Sequence, residues 1–250
     1  MFSLLLHCLP AEEDELAAEL WEQGTAGIHD EPGGLRAFFD DDSRIEALTR
    51  RFARFTPEAR LESATDWEQV SRDAWPPIAV GERWYLVPPW SSDPAPPGRL
   101  RLEVLPGMAC GTGHHPATQL CLEALERYVH PGACVVDVGT GSGILSAAAL
   151  LLRAGQVFAC DIDAEAVEIA RTRVAAHFFV GSVNAVRTGI ADAIVANISS
   201  EAIETLRPEL ERVRRGGGVL ILSGFAVGDL PEGFAARGVL TKEDWTCLIC

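Results

Sequence analysis

The chain has 250 residues, 48% of them apolar, with 36 acidic against 21 basic side chains and a net charge of −15. That apolar content fills the core of one large domain, or of a domain with a smaller companion. No run approaches the roughly 20 consecutive apolar residues of a membrane span, and a nucleic-acid surface would need clustered Arg and Lys, so neither a membrane nor a nucleic acid is expected as a partner.

Met1–Pro10 is apolar but lacks a basic leader and an Ala-x-Ala site, and acids follow at once, so Phe2–Leu9 reads as a strand and not a signal peptide. Glu12–Gln23 carries Leu16, Leu20 and Trp21 at helical spacing. The Pro32-Gly33-Gly34 turn then separates Ile28-His29 from a return strand, Leu35–Phe39, and Ser43–Phe55 repeats the helical pattern with Ile45, Leu48, Phe52 and Phe55. Strand, helix, hairpin, helix predicts a small α+β, ferredoxin-like domain over residues 1–62. It holds fourteen acids and six arginines, a net of −8, which suits recruitment of a basic protein.

Residues 63–77 read as a linker helix stopped by Pro76-Pro77, and Ile78–Val87 alternates like one strand. Four of the six tryptophans fall between residues 67 and 90, a density expected to pack a domain junction. Residues 78–250 form the second domain. After Leu100 strand and helix patterns alternate: strands at Cys134–Val138, Val157–Cys160, Phe178–Val180, Ala193–Ala196 and Val219–Ser223, helices at Thr118–Val129, Ile144–Leu152, Ala164–Val174 and Glu201–Val213. Such alternation predicts a mostly parallel sheet covered on both faces. Val239–Lys242 and Trp245–Cys250 read as two tightly joined final strands, and a closing antiparallel strand separates methyltransferase sheets from dehydrogenase ones.

The chemistry concentrates in Asp137-Val-Gly139-Thr-Gly141-Ser-Gly143, which follows a buried strand and opens a helix. Dinucleotide sites use Gly-x-Gly-x-x-Gly with pyrophosphate on the helix N-terminus. Here the third glycine comes one residue early, a spacing suited to a cofactor without phosphate, S-adenosylmethionine, its amino-acid tail across the turn. Asp161, 22 residues after Gly139, ends the next strand, where an acid accepts from two ribose hydroxyls. Asp163 is better placed to cap the following helix.

Asn197 lies just past the carboxyl end of the fourth strand, the edge where open α/β sheets bind ligands. It either orients an acceptor amine or caps the next helix. No general base is assigned. His114 and His115 sit in a glycine-rich loop, Pro106–Thr118, without the further ligands a metal site needs, so no metal is expected. Seven cysteines, with Cys121, Cys134 and Cys160 inside apolar patterns, suggest reduced thiols in the cytoplasm, and Cys247/Cys250 make one weak Cys-x-x-Cys pair.

Glu103–Leu125, Val136–Leu145, Cys160-Asp-Ile-Asp, Val195-Ala-Asn-Ile and Gly217–Gly224 together resemble the ribosomal protein L11 methyltransferases, over most of residues 100–225. The Gly-Thr-Gly-His loop is the most specific of these segments. The resemblance implies a Rossmann-like class I methyltransferase domain with a seven-stranded, mostly parallel sheet, binding S-adenosylmethionine through Thr118, Gly139, Asp161 and Asn197, to which the glycine turn itself adds Gly141 and Gly143. It also implies transfer of methyl groups to lysine or N-terminal amines of ribosomal protein L11, with residues 1–62 recruiting the substrate; a monomer is expected. Departures are Ala117 in place of a second threonine, a shortened segment over 175–190, and Ser199-Ser200 after the Asn-Ile pair.

Overall fold

The computed structural model describes residues 1–9, 12–62, 75–104 and 113–250. Backbone contacts divide the chain into two compact units, Met1–Ala74 and Trp75–Cys250. The expected linker helix falls outside the described residues except for its last three, 75–77.

In the first unit, β1 (Phe2–His7), α1 (Glu13–Glu22), β2 (Gly27–Glu31), β3 (Gly34–Phe39), α2 (Ile45–Arg51) and β4 (Glu58–Leu61) follow in order. The sheet order is β2-β3-β1-β4 with every neighbouring pair antiparallel, the split βαβ arrangement of ferredoxin-like folds. Phe2, Leu4 and Leu6 alternate along β1 and pack on Leu16, Leu20, Leu48 and Phe52. The predicted second helix is shorter than its pattern: 3-10 turns at Asp42–Arg44 and Ala53–Phe55 flank α2. Asp41 accepts from Ser43 N–H at its start, and Thr56 ends the run in a left-handed conformation.

The second unit opens with a small sheet of β5 (Ile78–Val80), β6 (Trp84–Val87) and β7 (Leu100–Glu103). This corrects the single strand expected over Ile78–Val87. Gly81 has φ +53°, and the Glu126 carboxylate accepts from Glu82 and Arg83 N–H, each at 3.0 Å, which folds the segment into a hairpin. Trp84 is fully buried, its indole N–H donating to Leu122 O at 2.8 Å, a packing role.

The large sheet has seven strands in the order β10-β9-β8-β11-β12-β14-β13. They are β8 (Cys134–Val138), β9 (Gln156–Asp161), β10 (His177–Val180), β11 (Ala191–Asn197), β12 (Arg214–Ala226), β13 (Gly238–Lys242) and β14 (Trp245–Ile249). All pairs are parallel except those made by β14, which runs antiparallel to both β12 and β13. Valine and isoleucine fill the central strands because both faces are covered.

On one face Val135, Val195, Ile221 and Ile249 pack with α3 (Pro116–Tyr128) and α4 (Ile144–Leu151). α5 (Ala164–Arg173) buries Val167 and Ala170 against Ala159 and Phe178. On the other face α6 (Ser200–Val213) covers Ile194, Leu220 and Leu222. There the connection after β10 contains a 3-10 turn, Val183–Ala185, held by Arg212 donating to Asn184 O and Val186 O. It leaves a groove of about 660 Å³ by Phe158, Phe179 and Ile190 that reaches Cys134 and Gln156, the first residues of β8 and β9. The groove thus lies at the amino ends of the strands, and Asp161 at the carboxyl end of β9.

Candidate cofactor and amine site

The predicted residues converge at the carboxyl edge of the large sheet. β8 ends at Val138 and the chain turns through Gly139, Gly141 and Gly143, with φ of +72°, +52° and +81°. At Gly139 the requirement for glycine is double: the left-handed conformation disfavours a side chain, and a Cβ would collide with Ile198. Gly139 and Thr140 N–H both donate to Cys160 O, fastening the turn to β9.

Asp161 sits at the tip of β9, as its spacing predicts. Its Oδ2 accepts from Gly141 N–H at 2.9 Å and its Oδ1 from Asp163 N–H at 3.0 Å. Two backbone donors thus fix the carboxylate beside the turn. Each oxygen keeps a further lone pair, enough to receive two vicinal hydroxyls. Asp163 caps α5 by accepting from Glu165 N–H, as expected. Ile162 between them is 83% exposed, a large apolar side chain in the polar loop beside Asp161. Its signal was one apolar residue between two acids, which sequence reasoning passed over.

Asn197 does not cap the following helix. Ser199 does, accepting from Ala202 N–H at 3.3 Å, while Ser200 Oγ donates to Asp229 at 2.7 Å. The amide Nδ2 of Asn197 instead donates to Thr118 Oγ1 at 3.1 Å. Thr118 lies in the first turn of α3, 1% exposed. Since the amide nitrogen is occupied, Oδ1 is the atom left to accept from a ligand. Ser223, paired with Asn197 in register, donates to Thr246 O, so it serves the sheet.

Asp137 was noted in the sequence only as an acid before the glycines. It is fully buried, with Thr140 and Ser146 hydroxyls both donating to Oδ2 at 2.7 Å and Oδ1 without a partner among the described residues. Burial pushes its carboxyl up to about 6, opposed by those two hydroxyl bonds. Once ionised, it places a buried negative charge beneath the turn. The residues suit a cationic nucleoside: a ribose-type acid, a glycine cradle without side chains, and an unmatched buried carboxylate oxygen.

The Cys-x-x-Cys pair is resolved by strand geometry. Cys247 packs on the α3 face and Cys250 on the α6 face, so the two thiols cannot share a ligand. Burial also raises the Cys250 thiol to about 11 and the Cys160 thiol to about 12. Residues 105–112 of the glycine-rich loop lie outside the described residues. His115, at its end, caps α3 through Nδ1, which accepts from Ala117 N–H at 3.3 Å. Among the described residues no group of three or more His, Cys, Asp or Glu could hold a metal ion, and no helix is long and apolar enough to cross a membrane.

The strand order, the antiparallel β14 and the glycine turn facing an acid at the tip of β9 define the class I S-adenosylmethionine-dependent methyltransferase fold. The family model for ribosomal protein L11 methyltransferase (PrmA) matches residues 10–250. The chain belongs to that family. It is 39% identical over 200 residues to the ribosomal protein L11 methyltransferase of Geobacillus thermodenitrificans, covering 74% of this chain and 64% of that one. Against the relative of the same name from Dechloromonas aromatica it is 36% identical over 247 residues, covering 90% and 83%. The crystal structure of a ribosomal protein L11 methylase from Lactobacillus delbrueckii subsp. bulgaricus superposes with a TM-score of 0.62 at 30% identity, over 69% of this chain and 96% of that one. The chain thus spans a little under two thirds of the Geobacillus protein's length.

Proposed function

We propose that this chain transfers methyl groups from S-adenosylmethionine to lysine or N-terminal amines of ribosomal protein L11, acting in the cytoplasm. The carrying observation is the pairing of two sites on one sheet edge: Asp161 tied to the Gly141 turn, and Asn197 tied to Thr118. Family membership supports the substrate class.

In this reading Asp161 receives the ribose hydroxyls, Gly139, Gly141 and Gly143 let the amino-acid tail lie against the backbone, and Ile162 offers an apolar surface to the base. When bound there, the cofactor supplies a methyl group on a positively charged sulfur. Asp137 contributes negative potential that favours a cationic over a neutral occupant. Asn197 Oδ1 accepts from the acceptor amine and holds its lone pair in line, with Thr118 fixing the amide's orientation. A lysine near pKa 10.4 costs about 4.5 kcal/mol to deprotonate at pH 7, against about 1–1.5 for an α-amine, so the site must favour the neutral amine.

The domain reading, residues 1–62 recruiting substrate and 78–250 carrying the chemistry, belongs to the same proposal, as does a monomeric state. The acidic first domain, net −8, suits a basic protein. Intact-mass analysis of purified L11 after incubation with this protein and S-adenosylmethionine tests the function. Methyl increments on L11 are expected. Unchanged L11, with another protein labelled from the same radioactive cofactor in a lysate, would reassign the substrate.

A further inference from the structure

Two aromatic rings lie at the same carboxyl edge of the sheet as the Asn197–Thr118 pair and have no part in the chemistry assigned so far. β14 is antiparallel to β12, so its first residue, Trp245, emerges at the carboxyl edge. Register carries the row across: Asn197 pairs with Ser223, Ser223 with Cys247, and Trp245 lies two residues further out on the same face as Cys247. That is the α3 face, where Trp245 packs half-buried against the core. Val195, two residues before Asn197, belongs to the same core, so Asn197 faces the same side.

His115 immediately precedes α3 as its N-cap, three residues before Thr118, and is exposed. Its ring meets that of Trp245 with centroids 4.4 Å apart and planes at 71°. Because Nδ1 accepts the Ala117 N–H, the neutral ring carries its proton on Nε2, and the cap holds the imidazole in place. The two rings brace each other edge to face, with Trp245 half-buried and His115 exposed. Glu243 and Asp244, in the turn that delivers Trp245, are exposed, and so is Asp229, held by Ser200.

A preorganised aromatic pair on the sheet edge that also carries the Asn197 amide, with Glu243 and Asp244 in the adjoining turn and Lys242, opposite Trp245 in register, ion-paired to Glu123, has the chemistry of a site for an alkylated ammonium. We propose that Trp245 and His115 form the wall that receives the acceptor side chain, its alkyl stem along the indole and its methylated ammonium against the ring faces. The inference rests on the amine-methylating reading and deepens it. The pair determines specificity and retention: as hydrogens on nitrogen are replaced by methyl groups, Asn197 loses partners while the aromatic wall gains contact. Partly methylated amines therefore stay for another round.

The test uses the full-length protein saturated with S-adenosylhomocysteine and titrated with the amide of Nα-acetyl-trimethyllysine. Binding is followed through the Trp245 indole and His115 imidazole NMR signals. Both signals should shift on titration. Trp245→Ala should weaken the probe roughly 5- to 30-fold, Trp245→Phe much less, and a neutral analogue with carbon in place of the ammonium nitrogen should bind more weakly than the cation. Cofactor-product affinity, measured on each variant by calorimetry, should stay within about twofold, which shows that the variants fold.

Unmoved ring signals, equal affinity in Trp245→Ala, or equal affinity for the neutral analogue would overturn the wall. Methyl transfer to L11 is scored on the same samples. Transfer without any ring response overturns the wall alone, whereas a ring response without transfer supports the wall and removes only L11 as substrate.

Discussion

The Asn197 side-chain amide donates to the Thr118 hydroxyl across 3.1 Å, joining the tip of β11 to the first turn of α3. The bond tethers the amide to the start of α3 with Nδ2 toward Thr118, which leaves Oδ1 as the atom a ligand meets. An unpinned amide could flip and present its N–H₂ group to an amine that needs an acceptor.

Removing the pin should therefore damage turnover more than cofactor binding. Thr118→Val keeps the shape of the side chain and deletes the hydroxyl. Methyl transfer should fall roughly 10- to 100-fold from misorientation, while cofactor affinity changes by less than about tenfold, the worth of one hydrogen bond. Asn197→Ala should lose more activity than Thr118→Val. Steady-state kinetics beside calorimetry decide the matter, and a variant with normal kcat would remove orientation as the role of the pair.

Gly139 offers a second test. Gly139→Ala forces a side chain into a left-handed conformation and against Ile198, a strain of about 1–3 kcal/mol in stability together with loss of cofactor affinity. Adding Ile198→Ala removes the collision and leaves the backbone strain. The double variant should recover part of the stability lost, as measured by denaturant midpoint. No recovery would mean that conformation, and not crowding, accounts for the glycine.

Asp137 makes stability depend on pH in a defined direction. Its carboxyl is raised to about 6 in the folded protein against 3.8 ordinarily, so the native state binds a proton that the unfolded chain has released between those values. The stability this brings is complete below about pH 4 and is lost as pH rises through about 6. The shift corresponds to about 3 kcal/mol. Asp137→Asn mimics the protonated form, so its stability relative to the natural protein should rise between pH 4 and pH 7 and level off above. Equilibrium unfolding across that range checks it, and a gap independent of pH would contradict the buried charge.

The same substitution probes discrimination at the site. With the negative charge gone, S-adenosylmethionine should lose affinity while S-adenosylhomocysteine, which lacks the sulfonium charge, changes little. Competition binding at pH 8 measures the ratio. Equal loss for both ligands would assign Asp137 to shaping the turn.

What the sequence showed and hid follows from where physical constraints are local. β8 was legible to the residue, because Cys134–Val138 is a buried run ending at a glycine turn. Asp161 was legible because the strand–turn–helix–strand unit fixes its distance from Gly139. β4 was hidden: all four residues of Glu58–Leu61 are exposed, so pairing with β1 leaves no apolar alternation to read. The break between β5 and β6 was hidden because it depends on Glu126, more than forty residues away. Similarly, Asn197 and Thr118 are 79 residues apart, and no spacing rule links them. The resemblance pointed to both residues without showing that they touch. Ser199 took the capping role that the sequence also offered to Asn197, a choice settled by backbone geometry at the start of α6.

The most direct measurement is calorimetric titration of the protein with S-adenosylmethionine, repeated on Asp161→Ala. Saturable binding is expected for the natural protein. The variant should bind roughly 100-fold more weakly, about 3 kcal/mol for two charge-assisted hydrogen bonds to the ribose. Unchanged affinity in Asp161→Ala, or no binding heat with S-adenosylmethionine and clear saturation by a dinucleotide, would contradict the site described above.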